Sequence, residues 1–340
     1  MDEFATLKPA DRRILFEAAA ARLNIAAALG EKDFWVCWTL KELFRLPIIG
    51  RHLIFKGGTS LSKVFKVIER FSEDIDISIN REFLGFGGAN DPEAGTSNKD
   101  RHRRIDALKS ACQRKITGEL LPALESAVRA KLGRGEQWAL RQDDGDPDQQ
   151  TLLFEYPTVF PQATSQFIRR AVKIEMGARS DHWPSELKVV TPYVAELFPQ
   201  GFKEPNCTVK VLSAERTFWE KATILHAEFH RPAEKPIPER FSRHYYDFSE
   251  LIRKGVADDA AKQLDLLERV AKHKSLFFKS SWAKSETAAK GTLRLHPPEH
   301  RIQALRDDYR GMREMFFGEP PTFDEILEMI QAWERKFNRK

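Results

Sequence analysis

The chain has 340 residues, 41% hydrophobic and 31% charged, with a formal net charge of +5. That much apolar material supports one large core or two modest ones, and no apolar run reaches the length of a membrane span, so no membrane partner is expected. Cys37, Cys112 and Cys207 are few, odd in number and widely spaced, which argues for a reducing compartment and against a cysteine metal cluster.

The start Met1-Asp2-Glu3 lacks the basic opening of a signal peptide, so the chain is expected to be cytoplasmic. From Asp11 to about Leu46, apolar and charged residues alternate at helical spacing and predict a helical lead-in. Leu53-Ile54-Phe55 reads as a short buried strand, and Gly57-Gly58 as a turn where the backbone approaches a ligand. Thr59 to Arg70, with Leu61, Val64, Phe65 and Ile68 at helical spacing, predicts a helix; Ile75, Ile77 and Ile79 then mark the buried side of a strand. Residues 85–98, rich in Gly, Asn, Asp and Pro, predict a mobile loop. Lys99 to about Leu132 reads as one or two helices with a break near Gly118 or Pro122. Three β-like stretches follow at Gln137–Leu140, Leu152–Val159 and Ala171–Met176, with a further strand at Val209–Leu212. From Ser213 the pattern is mostly helical, and the boundary between an α/β part and a helical part is expected near Val209.

Chemistry concentrates around the glycine turn. On a strand, Asp74 and Asp76 point the same way, so both carboxylates can reach one ion. Such oxygens suit a hard divalent cation, Mg²⁺ or Mn²⁺, which keeps waters and substrate phosphates as its other ligands. The turn at the start of a helix offers free N–H groups and a positive dipole end to an anion. Gly57, Gly58, Thr59 and Ser60 are therefore candidate phosphate contacts. Ser72, two residues before Asp74, should point to the same side. Phosphate beside a carboxylate-held metal suggests nucleotide chemistry. Two basic stretches are candidate RNA contacts: Arg101, Arg103 and Arg104 in one, and Lys272, Lys274 and Lys279 in the other, the latter interleaved with Phe277, Phe278 and Trp282.

The glycine turn, helix and Asp-x-Asp strand resemble the nucleotidyltransferase superfamily, with the fifteen residues Thr59 to Glu73 between turn and first acid. Within it, Gly57-Gly58-Thr59-Ser60-Leu61-Ser62-Lys63 and Ser72-Glu73-Asp74-Ile75-Asp76 resemble the AbiEii/AbiGii toxin family. Ser213–Ala222 resembles that family's Glu-then-Lys helix, and Arg240–Phe248 its Arg-rich segment ending in Asp. Thr59 replaces the more usual Ser, and His244 stands where a second acid is common. The resemblance implies a nucleotidyltransferase-like mixed sheet flanked by helices. Residues 1–208 would form the α/β domain with its helical lead-in, and 209–340 a helical domain completing the active site. It implies catalytic roles for Asp74, Asp76, a third carboxylate, Lys221 and Asp247. The third carboxylate is Glu175, with Glu155 as the competing choice. Nucleotide contacts would come from Gly57, Gly58, Thr59, Ser60, Ser72, Lys221, Arg240 and Arg243. Asp247, four residues after Arg243, has the spacing of a helix ion pair and a simpler role holding that arginine. The implied activity moves a nucleoside monophosphate from an NTP to an acceptor, expected to be the 3′ end of tRNA, and releases pyrophosphate. A cognate antitoxin is the implied protein partner. A transferase modifying a protein or small molecule, and a non-catalytic nucleotide-sensing module, fit the same glycine turn.

Overall fold

The computed structural model of the chain describes residues 1–134, 137–161 and 170–339. They form two compact units, one of residues 1–64 and 71–212, the other of 65–70 and 213–340. The first unit carries helices α1 (Asp2–Ala5), α2 (Pro9–Leu23), α3 (Ala27–Arg45), α4 (Gly57–Lys63), α5 (Asn98–Lys115), α6 (Leu121–Leu132) and α7 (Tyr193–Leu197). Its strands are β1 (Leu53–Lys56), β2 (Ile75–Ile79), β3 (Ala139–Gln142), β4 (Thr151–Glu155), β5 (Ala171–Gly177), β6 (Ser185–Val190) and β7 (Cys207–Leu212). The second unit is helical: α8 (Ala214–Phe229), α9 (Arg243–Arg253), α10 (Val256–Ala260), α11 (Leu264–Phe277), α12 (Glu299–Gly311) and α13 (Phe323–Asn338).

The seven strands make one mixed sheet in the order β3-β4-β5-β2-β1-β7-β6. β2 runs parallel to β5 and antiparallel to β1, and β1 runs parallel to β7. This is the fold class the resemblance implied. Ile75, Ile77 and Ile79 of β2 are buried as expected and Asp76 is half-exposed, while Ser78, on the same side as Asp76, is buried too.

Helix α3 is buried over nearly its whole length, with Phe34, Trp35 and Trp38 among rings that include Phe4, Phe154 and Tyr156. Several of its buried charges are paired, which offsets the cost of removing them from water. Asp33 meets Lys63 at 2.7 Å, Lys32 meets Glu73, and Lys41 meets Asp2. The second unit closes around Phe218, Trp219, Phe248, Trp333 and Phe337.

Several boundaries differ from those expected. The helix after the glycine turn ends at Lys63 rather than Arg70. Lys66 has φ of +52°, and Phe65–Arg70 belongs to the second unit, where Arg70 bridges to Phe316. The apolar spacing of Val64, Phe65 and Ile68 thus marks no helical face: Ile68 is buried, while Val64 and Phe65 are half-buried in an irregular segment. The second β-like stretch stops at Glu155, just before Pro157, which has no N–H to give a ladder. Strand β6 was not expected: Leu187 and Val189 stand exposed on a sheet edge, so the buried alternation that marks a strand is missing. The break in the long helical stretch is a π turn at Ile116–Leu120 around Gly118. Residues 85–98 form a loop with two short 3₁₀ turns, tied down by Arg81 to Asp91 and Glu93, and by Arg104 to the carbonyls of Ala89 and Asp91.

Candidate active site

Strand β1 delivers the chain into Gly57, whose φ of +81° is open to glycine and strained for other residues. A Cβ there would lie 1.9 Å from Asp76 Oδ2. The glycine therefore serves an identifiable purpose: it leaves room for a carboxylate to rest on the backbone of the turn. Asp76 faces Lys56 across the β1–β2 ladder and Glu175 across the β2–β5 ladder. Register places Asp76 and Glu175 side by side, so those two acids of the expected trio come together on neighbouring strands.

Asp74 sits just before β2. Burial pushes its carboxyl up to about 6, reinforced by Glu73, Glu175 and Asp76 and opposed by Lys173. Such a shift records negative charge crowded where water screens it poorly. Lys173, two residues before Glu175 and on the same side of β5, pairs with Glu175. Among the described residues no three His, Cys, Asp or Glu side chains are drawn together closely enough to hold a metal by themselves. The donors themselves fit a hard divalent cation: they are carboxylate oxygens, mutually repelling, beside a turn of free backbone N–H groups. Glu155, the competing third acid, is engaged elsewhere, accepting from Arg141 on β3 at 3.0 Å.

The hydroxyls after the glycines turn inward. Thr59, fully buried, donates to the Asp74 carbonyl at 2.5 Å and lies 2.9 Å from Ser72 Oγ. Ser60, also fully buried, donates to the Gly57 carbonyl at 2.7 Å. Thr59 and Ser72 thus fasten the loop that carries Asp74. No side chain caps α4, so the N–H groups of its first turn are the phosphate donors this segment offers.

In the second unit, Lys221 of α8 and Asp247 of α9 are both buried. Asp247 accepts from Arg70 Nε at 2.7 Å and Nη2 at 2.8 Å, and from Lys221 Nζ at 2.7 Å. Asp247 is therefore held by a forked arginine from 177 residues upstream and by Lys221, rather than acting only as the i+4 partner of Arg243. The two cations hold its carboxyl well below the ordinary range despite burial. Neither Arg70 nor its link to Asp247 was anticipated, because nothing local in the sequence couples them. Arg243 is half-buried, and Arg240 is fixed through its backbone N–H to Asp308 at 2.6 Å. Burial, with Lys221, Arg243 and Arg70 as neighbouring cations, holds the His244 ring well below its ordinary value.

The basic stretches divide by accessibility. Arg103 is exposed and pairs with Asp100, whereas Arg104 is drawn to Asp100 and the loop carbonyls. Lys272 and Lys279 are exposed and Lys274 half-exposed; Phe277 is core, while Phe278 is exposed beneath the Lys274 ammonium.

A mixed sheet bearing a glycine turn and facing acids on adjacent strands defines a nucleotidyltransferase-type protein. Residues 38–329 match the family described as nucleotidyl transferase AbiEii toxin, type IV toxin–antitoxin system, and the chain belongs to that family. Membership implies an NTP substrate and an antitoxin partner. Among solved structures, the chain is similar to the nucleotidyltransferase toxin MenT4 from Mycobacterium tuberculosis H37Rv. Identity is 16% over 90% of this chain and 99% of that one, with a TM-score of 0.37. No curated protein matches the sequence. Among the described residues no helix is long and apolar enough to cross a membrane.

Proposed function

We propose that the chain transfers a nucleoside monophosphate from an NTP to the 3′-terminal hydroxyl of a tRNA, with Asp74, Asp76 and Glu175 as the catalytic carboxylates. The observation that carries this reading is Asp76 lodged against Gly57 and beside Glu175, which puts two acids where the turn offers donors for phosphate. These carboxylates would hold a divalent ion, which would supply charge neutralisation for the triphosphate and the departing pyrophosphate. The backbone of Gly57–Ser60 binds phosphate oxygens, and Glu175 takes the proton of the attacking hydroxyl. A new P–O bond forms at the α-phosphorus, the bond to the β-phosphate oxygen breaks, and its electron pair leaves with pyrophosphate. Thr59 and Ser72 hold the Asp74 loop in place during this step. Placing the reactants in line supplies much of the rate.

RNA as acceptor is supported by exposed cations on α5 (Arg103) and along and after α11 (Lys272 and Lys279), with Arg101 and Lys274 half-exposed beside them. Labelled NTP incubated with total RNA, and separately with protein extract, tests the reading. Label in tRNA with wild type and none with Asp76→Ala is the expected result. Label in protein alone would replace the acceptor and keep the site, while binding without any transfer would make the chain a nucleotide sensor.

A further inference from the structure

Arg12, near the start of α2, is 3% exposed. Its Nε and Nη1 have no hydrogen-bond partner among the described residues. Buried guanidinium donors left unmade are costly, and such groups ordinarily have a partner in water, protein or ligand. Glu31 is the carboxylate whose charge acts on Arg12. Both Glu31 oxygens are already used, by the Thr158 hydroxyl at 2.6 Å and the Val159 N–H at 2.8 Å. The Arg12 guanidinium also lies 5.6 Å from the Trp35 ring, which supports a cation without satisfying its N–H groups.

Arg12 lines a groove of about 530 Å³, within the size range of small-molecule sites. Thr6, Lys8, Gln137, Trp138 and Pro157 also line it. The start of α2 offers little to an anion, since Pro9 has no N–H, the Asp11 N–H goes to the Lys8 carbonyl and Asp11 itself is acidic; the cations lining the groove are Lys8 and Arg12. The carboxylate cluster on β2 and β5 shares no residue with it. A guanidinium fork and a lysine suit a phosphate; a half-exposed indole with an amide beside it suits a flat, hydrogen-bonding ring.

We propose that this groove is a second ligand site, separate from the carboxylate centre, that holds a nucleoside phosphate: phosphate on Arg12 and Lys8, base against Trp138.

The test measures binding of AMP, pyrophosphate and inorganic phosphate by calorimetry, with chelator present and in an Asp76→Ala background. These conditions silence metal-dependent binding at the carboxylates. AMP is expected to bind and to raise the melting temperature. Arg12→Met should lose at least about tenfold in affinity, as for a charge-assisted fork, with its own melting temperature not lowered. Trp138→Phe should narrow the preference for AMP over pyrophosphate. AMP binding unchanged by Arg12→Met, or no binding of any of the three, overturns the site. Equal binding of AMP and inorganic phosphate overturns the nucleoside assignment. If Arg12→Met fails to fold, Arg12→Lys decides. It keeps the charge but not the fork, so it should fold and lose several-fold in AMP affinity; undiminished binding by that variant counts against the proposal.

Discussion

At the scale of single residues, the tightest constraint is the contact between Gly57 and Asp76. Gly57→Ala must either strain a φ of +81° or displace the Asp76 carboxylate. Strain alone costs on the order of 1 kcal/mol, so denaturant melts should show a modest loss. Nucleotide transfer should fall far more, to the level of Asp76→Ala, because the displaced group is the proposed ligand. Near-normal transfer by Gly57→Ala would remove Asp76 from the catalytic set. Asp74 makes a different prediction. Its carboxyl is raised from 3.8 to about 6, so between those values the folded chain holds the proton more tightly than the unfolded chain. Stability from this group is then full at low pH and is lost as pH rises through about 6. Without divalent ions, Asp74→Asn should therefore be more stable than wild type above that pH, by about 3 kcal/mol, and no more stable below about pH 4. Urea titrations with chelator at several pH values check the sign. A variant less stable than wild type at pH 8 would mean that the Asp74 charge is well compensated.

At the scale of elements, α8 and α9 are joined through Asp247, which binds Lys221 on one helix and Arg70 from the segment before β2. Removing one member of a buried ion cluster costs about 3–5 kcal/mol when it strands a charge. Asp247→Ala strands two cations, whereas Lys221→Met leaves Asp247 still paired with the Arg70 fork. Asp247→Ala should then be clearly the more destabilising, and Lys221→Met should fold. Asp247 titrates well below its usual value, so its stabilisation is present above about pH 4 and fades as pH falls; that acid-linked loss should be absent from Asp247→Asn. If Lys221→Met folds but loses transfer, the lysine acts on substrate; if it transfers normally, its task is to neutralise Asp247. These element-level facts also show what sequence could and could not reveal. The β1–turn–β2 unit was readable, because glycine conformations and two-residue alternation are local properties of the chain. The pairing of Asp76 with Glu175 was readable once β5 was recognised from its own alternation. Arg70 was not readable, because it reaches Asp247 across 177 residues from a stretch whose apolar spacing imitates a helix. Strand β6 was not readable either, since an exposed sheet edge carries no burial pattern. The inward turn of the Thr59 and Ser60 hydroxyls was equally hidden, for a hydroxyl's partner is fixed only when the loop folds.

At the scale of the whole molecule, a net charge of +5 on 340 residues is a mild bias, and where the cations stand matters more than their sum. Many are spent internally: Lys32, Lys63, Arg70 and Lys221 are buried against carboxylates, and Arg104 secures a loop. What is left for a polyanion includes exposed Arg103 on α5 and Lys272 and Lys279 along and after α11. Phosphate neutralisation by such groups releases condensed counterions, so RNA association should weaken steeply with salt. A single-stranded or end-binding site engaging about four or five phosphates gives a slope near −3 in log affinity against log salt. Charge reversal at Lys272 and Lys279, or at Arg101 and Arg103, should flatten that slope and reduce transfer to RNA while NTP binding at the carboxylate centre is unchanged. Arg104→Glu is a poorer reporter, since it also frees the loop. Filter binding of tRNA over a salt series, run beside NTP calorimetry on the same variants, measures both quantities. An RNA affinity indifferent to salt and to both reversals would leave the carboxylate chemistry standing and transfer the acceptor role to a protein.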